Sequence, residues 1–314
     1  MPELPEVQTT VNGLNAQTRG LRISDVWTSY NSPSHHLKDN IKNPNYFKNF
    51  RKAVVGAKIL SAERQGKNML IHLSNHQTIL THMKMTGHFM YGKYEQKKTK
   101  NKNASNKNVS QWQPQDSKSA LADPFNKHIR LLFTFSNGQH LAFADTRKFA
   151  KVFIFDTNKR EDVLDLKLLG PDPTAKSFSE KLMCERLRLR QNWKIKQALL
   201  DQSLIAGIGN IYSDEMLWSA GIHPLSIVSK IPATQFKKLF VAMRDVLKKG
   251  LDFGGDSTSD YRNIHGEPGR FQHKHNVYRR KGQPCSRKDG GTIERIVIGG
   301  RSTHFCPIHQ ILYK

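Results

Sequence analysis

The chain has 314 residues, long for one compact domain and comfortable for two. Fifty Lys and Arg stand against 26 Asp and Glu, a formal charge of +24, which points to a polyanionic partner whose phosphates those cations neutralise. No apolar run approaches the roughly 20 residues that span a bilayer, the start MPELPEVQTT lacks the layout of a secretory signal, and three cysteines (Cys184, Cys285, Cys306) argue against a disulfide framework, so a cytoplasmic, non-membrane protein is expected.

Residues 6–16 read as an amphipathic helix. From about 21 to 155 the chain carries short β-rich runs: RISDVW, AKILSAERQ, NMLIHLS, TILTHMKMTG, HIRLLFTF, HLAFADTR and KVFIFD. Turn signals such as NHQ and SNG separate them, which predicts a β-sandwich or barrel. One Lys/Asn/Gln/Ser-rich segment, about 92–124, is nearly free of aliphatic residues and reads as a mobile insertion between strands, a solvated loop whose lysines are also in a position to meet DNA. GPDPTAKSF, 170–178, is a linker by its Pro and Gly content. Beyond it the period turns helical, with Ser213 and Thr234 as candidate N-caps and Gly221 and Gly250 as candidate stops. From about 271 the tail returns to β in NVYRRKG, TIERIVIGG and RSTHFCP.

Four places carry chemistry. Removal of Met1 before a small residue frees the secondary amine of Pro2. An α-amine has a pKa of about 8, against about 10.4 for lysine, so roughly a tenth of it is neutral and nucleophilic at pH 7. Such an amine attacking a sugar C1′ forms an iminium ion and splits one hard step into two. Glu3 and Glu6 follow at once, and Glu3 is placed to protonate a ring oxygen. In 201–224, Gly207 and Gly209 make a tight turn before a helix opening at Asn210 and Ile211, whose N–H groups would face a phosphate. ADTRKFA, 144–150, sets Arg147, Lys148 and Phe149 at a strand end, a clamp-and-wedge set for an extruded base, and Met85 before Gly87 is a second apolar candidate. Cys306 and His309 form a C-x-x-H pair of zinc type. The matching pair near Cys285 is broken, leaving Asp289 or His304 as the remaining ligand.

PELPEV at the start, GIGNIYSDE in the middle and VYRRKGQPC…GGRSTHFC at the end, in this order, resemble bacterial formamidopyrimidine-DNA glycosylases, the family shared with endonuclease VIII. The resemblance spans the chain apart from the segment near 92–124. It implies an α+β fold: an N-terminal β-sandwich catalytic domain (1–165), a helix-two-turns-helix DNA-binding domain (176–270) and a zinc-finger-like β-hairpin (271–314). It implies base excision followed by β- and δ-elimination, on duplex DNA holding a damaged base or an abasic site, by a monomer. By position, Pro2 becomes the Schiff-base nucleophile, Glu3 its acid, Glu6 a supporting carboxylate and Lys67 the strand lysine that assists elimination. Met85, Arg147 and Phe149 fill the space of the everted base, with His128, Lys148, Asn210 and Tyr278 in the DNA-contacting set, and Arg301 holds phosphates for the second elimination. PELPEV matches the formamidopyrimidine branch, so oxidised purines are the expected lesions; an oxidised-pyrimidine enzyme and a silent damage binder are the alternatives. Residues 254–271 correspond to a loop over the everted base. Lys148 stands where arginine is common, and the family's four zinc cysteines are reduced to Cys285 and Cys306. The hairpin therefore either holds Zn2+ with mixed ligands (Cys285, Asp289 or His304, Cys306, His309) or stands without metal.

Overall fold

The computed structural model describes residues 1–30, 39–100 and 108–314, and side chains outside 98–110. Helix α1 (Leu4–Thr18) opens the chain, two residues earlier than its periodicity suggests. Leu4, Val7, Val11 and Leu14 recur at three- and four-residue steps on its buried stripe. Val7, Val11 and Leu14 pack into one hydrophobic core while Leu4 packs into another, so the N-terminus sits at the junction of the two.

The first core lies between two four-stranded antiparallel sheets. The strands are β1 (Ile23–Thr28), β2 (Ile59–Gln65), β3 (Asn68–Leu73), β4 (Gln77–His82), β5 (His88–Gly92), β6 (Tyr94–Lys100), β7 (Asn108–Pro114), β8 (Ile129–Phe135), β9 (His140–Ala144) and β10 (Lys151–Asp156). One sheet runs β1-β8-β9-β5 and the other β10-β4-β3-β2, the sandwich the alternating runs predict. Helix α2 (Pro44–Val54) interrupts the β region, and the β-run reading misses it. Its signals are local: Asn43 caps Asn45 N–H, Pro44 opens the first turn, and Phe50 and Val54 face the core.

The segment expected as a mobile loop is corrected in part. β6 and β7 pair as an antiparallel ribbon from Tyr94↔Pro114 to Lys100↔Asn108. Its base folds because aromatic residues do what absent aliphatics cannot. Tyr94 is buried, and Trp112 and Leu121 cover Ala142 and Ala144 on the outer face of β9. Residues 101–107, with Lys102 and Lys107, lie outside the described residues.

The second core is helical: α3 (Leu164–Lys167) leads from the sandwich, then α4 (Glu180–Arg188), α5 (Ile195–Leu200), α6 (Asn210–Ala220) and α7 (Ala233–Asp252) pack together. Gly221 ends α6 in the left-handed conformation as expected. The other cap assignments are corrected. Gly209 precedes α6, and Ser213 lies inside it with its hydroxyl on the Gly209 carbonyl. Pro232 precedes α7, so Thr234 is internal. Gly250 also lies inside α7, and close packing accounts for the glycine: a Cβ there would meet the Tyr212 ring at 2.5 Å. The chain ends in the hairpin β11 (Glu294–Ile298) and β12 (Arg301–Phe305). NVYRRKG is not a strand; the N–H groups of Asn276, Val277 and Tyr278 are taken by the Glu215 carboxylate. No helix among the described residues is long and apolar enough to cross a membrane.

Candidate active site

A cleft of about 530 Å³ opens where the N-terminus, the β2–β3 turn, the β4–β5 turn, the start of α6 and the β11–β12 turn converge. Its lining includes Met1, Glu3, Lys67, Met85, Asn210, Tyr278 and Arg301. Six residues singled out in the sequence thus meet across more than two hundred positions, with Pro2 held between two lining residues, Met1 and Glu3.

Glu3 is the hinge of this arrangement. It is 2% exposed, and its carboxylate accepts the N–H of Ile211 at 3.0 Å and of Tyr212 at 3.4 Å. A carboxylate from α1 therefore caps α6, where helix N–H groups and dipole favour negative charge. The expectation that Ile211 N–H faces a phosphate is corrected: Glu3 takes it. The GIGN turn is shaped for this contact. Leu4 N–H donates to the Gly207 carbonyl, and a Cβ on Gly209 would sit 2.2 Å from Glu3 Cδ. Glu6 lies behind Glu3, buried, and accepts Glu3 N–H at 2.7 Å, Tyr212 O–H at 2.6 Å and Asp256 N–H at 2.7 Å. Burial, then the Glu3 charge, pushes its pKa up to about 7 against the hydrogen bonds.

Lys67 occupies the two-residue turn between β2 and β3 and is buried. Burial lowers its pKa, Glu3 and Glu6 oppose that, and Arg301 adds to the lowering. Arg301 follows the Gly299–Gly300 turn and is exposed at the hairpin tip. Asn210 ties the helical turn to the hairpin through Nδ2 on the Ser302 carbonyl at 2.8 Å. His82 adds a neutral imidazole to the cleft: burial first, then Lys84 and Lys67, lower its pKa to about 3.

Arg147, Lys148, Phe149 and His128 are not among the cleft-lining residues. The first three form an exposed turn after β9, with Lys148 left-handed at φ 57° and the Arg147 guanidinium 4.6 Å from the Phe149 ring centroid. Asp145, fully buried, anchors this turn through Ala150 N–H and Thr86 O–H, and Thr86 Oγ1 accepts Arg147 N–H. The Arg147 turn and the Met85 turn are thereby joined. His128 is half-buried, and its carbonyl accepts Asp145 N–H.

Sequence reading misses the buried supports. Lys196, fully buried, donates to Asp214 Oδ1, Ser213 Oγ and the Asn210 carbonyl. Asp214 Oδ2 accepts His304 N–H at 2.9 Å, so one carboxylate spans α6 and β12. Glu215 accepts the N–H groups of Asn276, Val277 and Tyr278, which holds NVYRRKG as a loop and sets Tyr278 at the cleft. Only the run SDE beside the glycine turn hints at these carboxylates.

Cys285, Asp289, Cys306 and His309 offer ligand atoms all within 4.8 Å of one another. Cys285 Sγ lies 3.6 Å from His309 Nδ1, and Cys306 Sγ lies 3.5 Å from Asp289 Oδ2. These are the separations that tetrahedral Zn2+ places between its own ligands, given metal bonds of about 2.0–2.3 Å. His309 Nε2 is 3.1 Å from the Trp218 carbonyl, an acceptor, so Nε2 carries a proton, while Nδ1 faces the other ligand atoms and lies 2.7 Å from Asp289 Oδ2. His304 is corrected: its Nδ1 is on Asp214, away from this group.

A family model for the formamidopyrimidine-DNA glycosylase N-terminal domain matches residues 1–152, and one for the formamidopyrimidine-DNA glycosylase H2TH domain matches 169–262. A formamidopyrimidine-DNA glycosylase of Bacillus subtilis is 34% identical over 307 residues, covering 98% of each chain. One of Halalkalibacterium halodurans is 36% identical over 310 residues, covering 99% of this chain and all of the other. Among solved structures, a Lactococcus lactis Fpg in complex with abasic-site DNA has TM-score 0.78 at 30% identity, covering 98% of this chain and 99% of that one. A MutM in complex with carbocyclic 8-oxo-G DNA has TM-score 0.78 at 31% identity, with the same coverage. With the acid pair, the buried turn lysine and the helical-turn asparagine converging on the N-terminus, these likenesses establish that the chain belongs to the formamidopyrimidine-DNA glycosylase family.

Proposed function

We propose that this protein is a DNA glycosylase and abasic-site lyase of base excision repair that attacks C1′ of a damaged nucleotide with the amine of Pro2. The observation that carries this is the cleft itself, which gathers Glu3, Lys67, Asn210, Tyr278 and Arg301 around the N-terminus. The Pro2 nitrogen bonds to C1′, the glycosidic bond breaks and the base leaves with its electron pair. Glu3 takes the proton that the Pro2 nitrogen loses and passes it to the ring oxygen as the sugar opens to the iminium. Loss of a C2′ proton expels the 3′ phosphate, and a second elimination expels the 5′ phosphate. Lys67 carries protons in these steps: its burial and lowered pKa increase its share of neutral amine, and it lies within electrostatic reach of Glu3. Arg301 and Asn210, joined through the Ser302 carbonyl, grip flanking phosphates. Arg147, Phe149 and Met85 enter the gap left by the base, with Lys148 and His128 on the same edge.

Oxidised purines are the lesions we propose. The PELPEV start supports this, as do neighbours solved with Fapy-dG and 8-oxo-G DNA. The partner is duplex DNA, and a monomer suffices because one chain supplies every group in the cleft. Zn2+ is held by Cys285, Asp289, Cys306 and His309 in this reading. It serves as a structural clip beneath β12 and takes no part in the chemistry. The division proposed is 1–165, 176–270 and 271–314, supported by a sandwich core, a helical core and a terminal hairpin.

Borohydride trapping on 8-oxoguanine, 5,6-dihydrouracil and abasic duplexes tests the reading. A covalent adduct at Pro2 is expected, formed faster with the purine lesion. A protein verified to begin at Pro2 that forms no adduct refutes it, and faster trapping on the pyrimidine lesion refutes the substrate choice.

A further inference from the structure

The loop 254–270 leaves α7 and returns across α1 behind the acid pair. Asp256 N–H donates to Glu6 Oε1 at 2.7 Å, and Tyr261 O–H to the Glu6 carbonyl at 3.1 Å. A base leaving C1′ starts one bond from the atom that Pro2 attacks. The loop touches Glu6 directly, so in the glycosylase reading it stands beside the base site.

The far side of the loop is gripped rather than solvated. Arg262 is 6% exposed although it carries a guanidinium. Its Cζ lies 4.4 Å from the Phe125 ring centroid, and its Nε is 3.3 Å from Asp123 Oδ2. Nη1 donates to the Tyr261 carbonyl at 2.9 Å, within the loop. Asp123 and Phe125 belong to the two short turns, 120–126, that close the segment after the β6–β7 ribbon. Phe125 is 45% exposed, so its ring serves as a platform for Arg262 and is not a core residue. Asn126 adds a second tie: Nδ2 donates to the carbonyls of Gly266 and Ala120, and Oδ1 lies 2.9 Å from His88 Nε2. Gly266 has φ +84°, and a Cβ there would fall 2.8 Å from the Ala120 carbonyl oxygen, so loop and turns touch backbone to backbone. A guanidinium bears this burial because it is planar, stacks and keeps a charged partner; an ammonium lacks the first two properties.

We propose that Arg262 is a positioning residue for base excision: by gripping Asp123 and Phe125 it latches the 254–270 loop to the turns at 120–126 that follow the β6–β7 ribbon and keeps the loop seated against Glu6. The inference rests on the glycosylase reading and adds a division of labour to it. Removing a base needs the seated loop; cleaving a strand at a site that has already lost its base does not.

The experiment measures both steps in each preparation: single-turnover excision from an 8-oxoguanine duplex and cleavage of a preformed abasic duplex. Arg262→Ala is expected to slow excision about tenfold or more while abasic cleavage stays within about twofold of native. Phe125→Ala, at an exposed ring, is expected to slow excision about threefold, and the double variant to be no slower than Arg262→Ala, because both changes open one latch. Arg262→Lys keeps the charge and is expected to restore only a minor part of the rate. Arg262→Ala excision at the native rate overturns the latch alone. Equal loss of excision and abasic cleavage also overturns it, since that marks a structural role. A native protein with neither activity overturns the latch and the glycosylase reading together.

Discussion

Gly209→Ala tests the central contact of the site, because the substitution adds one methyl group and no charge. Gly209 has φ −133° and ψ −161°, extended backbone open to any residue, so the change carries no conformational penalty. The added Cβ would sit 2.2 Å from Glu3 Cδ and 2.4 and 2.6 Å from its two oxygens. Restoring ordinary carbon contact moves the carboxylate by more than about 1 Å. The Ile211 N–H bond, now 3.0 Å, then passes beyond hydrogen-bond range, and the 3.4 Å bond to Tyr212 goes with it. A charged hydrogen bond contributes about 1.5–3 kcal/mol, part of which the displaced carboxylate regains from water in the cleft, so stability falls by about 1–2 kcal/mol. The effect on rate is larger, since a 1 Å misplacement of a reacting group costs on the order of 100-fold. Gly221→Ala at the other end of α6 is the control. It breaks a left-handed cap at φ 70°, whose nearest neighbour to an added Cβ is the His309 carbonyl at 3.4 Å. It costs about 1–2 kcal/mol and leaves excision near native. The assay is single-turnover excision on a lesion duplex with melting temperature measured on the same samples, and Glu3→Gln with Gly209→Ala is expected to be no slower than Glu3→Gln alone. Native-rate excision by Gly209→Ala, in protein shown to begin at Pro2, refutes the argument that Glu3 must stand on the start of α6.

Other expectations are more local. Lys196→Met takes the ammonium from the buried Asp214 carboxylate and leaves it only its His304 contacts, and is expected to cost about 3–5 kcal/mol in urea denaturation, partly recovered by adding Asp214→Asn. Metal analysis of purified protein is expected to find about one Zn2+ per chain, lost in His309→Ala; a fully folded native protein without metal refutes the mixed-ligand site. His82 is depressed to about 3, so it is neutral when folded but takes a proton below about 6.5 when unfolded. The stability this group contributes is present above pH 6.5 and lost as pH falls toward 3. His82→Asn is therefore expected to reduce the stability lost between pH 7 and pH 4 by on the order of 2 kcal/mol, after discount for the part of the ring that faces the cleft, and an unchanged acid limb refutes it.

Legibility divided along physical lines. The sandwich could be read because most of its strands are short β-rich runs set apart by turn signals, as in β3 and β8. Helix α2 was written just as plainly, in Asn43, Pro44 and the Phe50–Val54 spacing, but was lost among strands. NVYRRKG has strand-like composition, and what keeps it from pairing is Glu215, sixty residues away in the chain. The ribbon β6–β7 failed as a prediction because aliphatic content was the measure, while Tyr94 and Trp112 supply the burial. Lys196 reads as a surface lysine in any pattern; only the fold reveals that it is sealed under Asn210.

The site shows why its two motifs were individually weak and jointly strong. PELPE alone is an exposed start, and GIGN alone is a tight turn. Their spacing of about two hundred residues carries no signal, yet Glu3 Oε1 and Ile211 N–H meet at 3.0 Å. The same carboxylate is the proposed acid and the cap of α6, and the same glycine that permits the cap would exclude it if it gained a methyl group. Catalytic geometry and the docking of the sandwich on the helical core are therefore one constraint. Leu4, packed in the helical core, and Val7, packed in the sandwich core, hold it from both sides, so a change that loosens either core should also displace the acid beside Pro2.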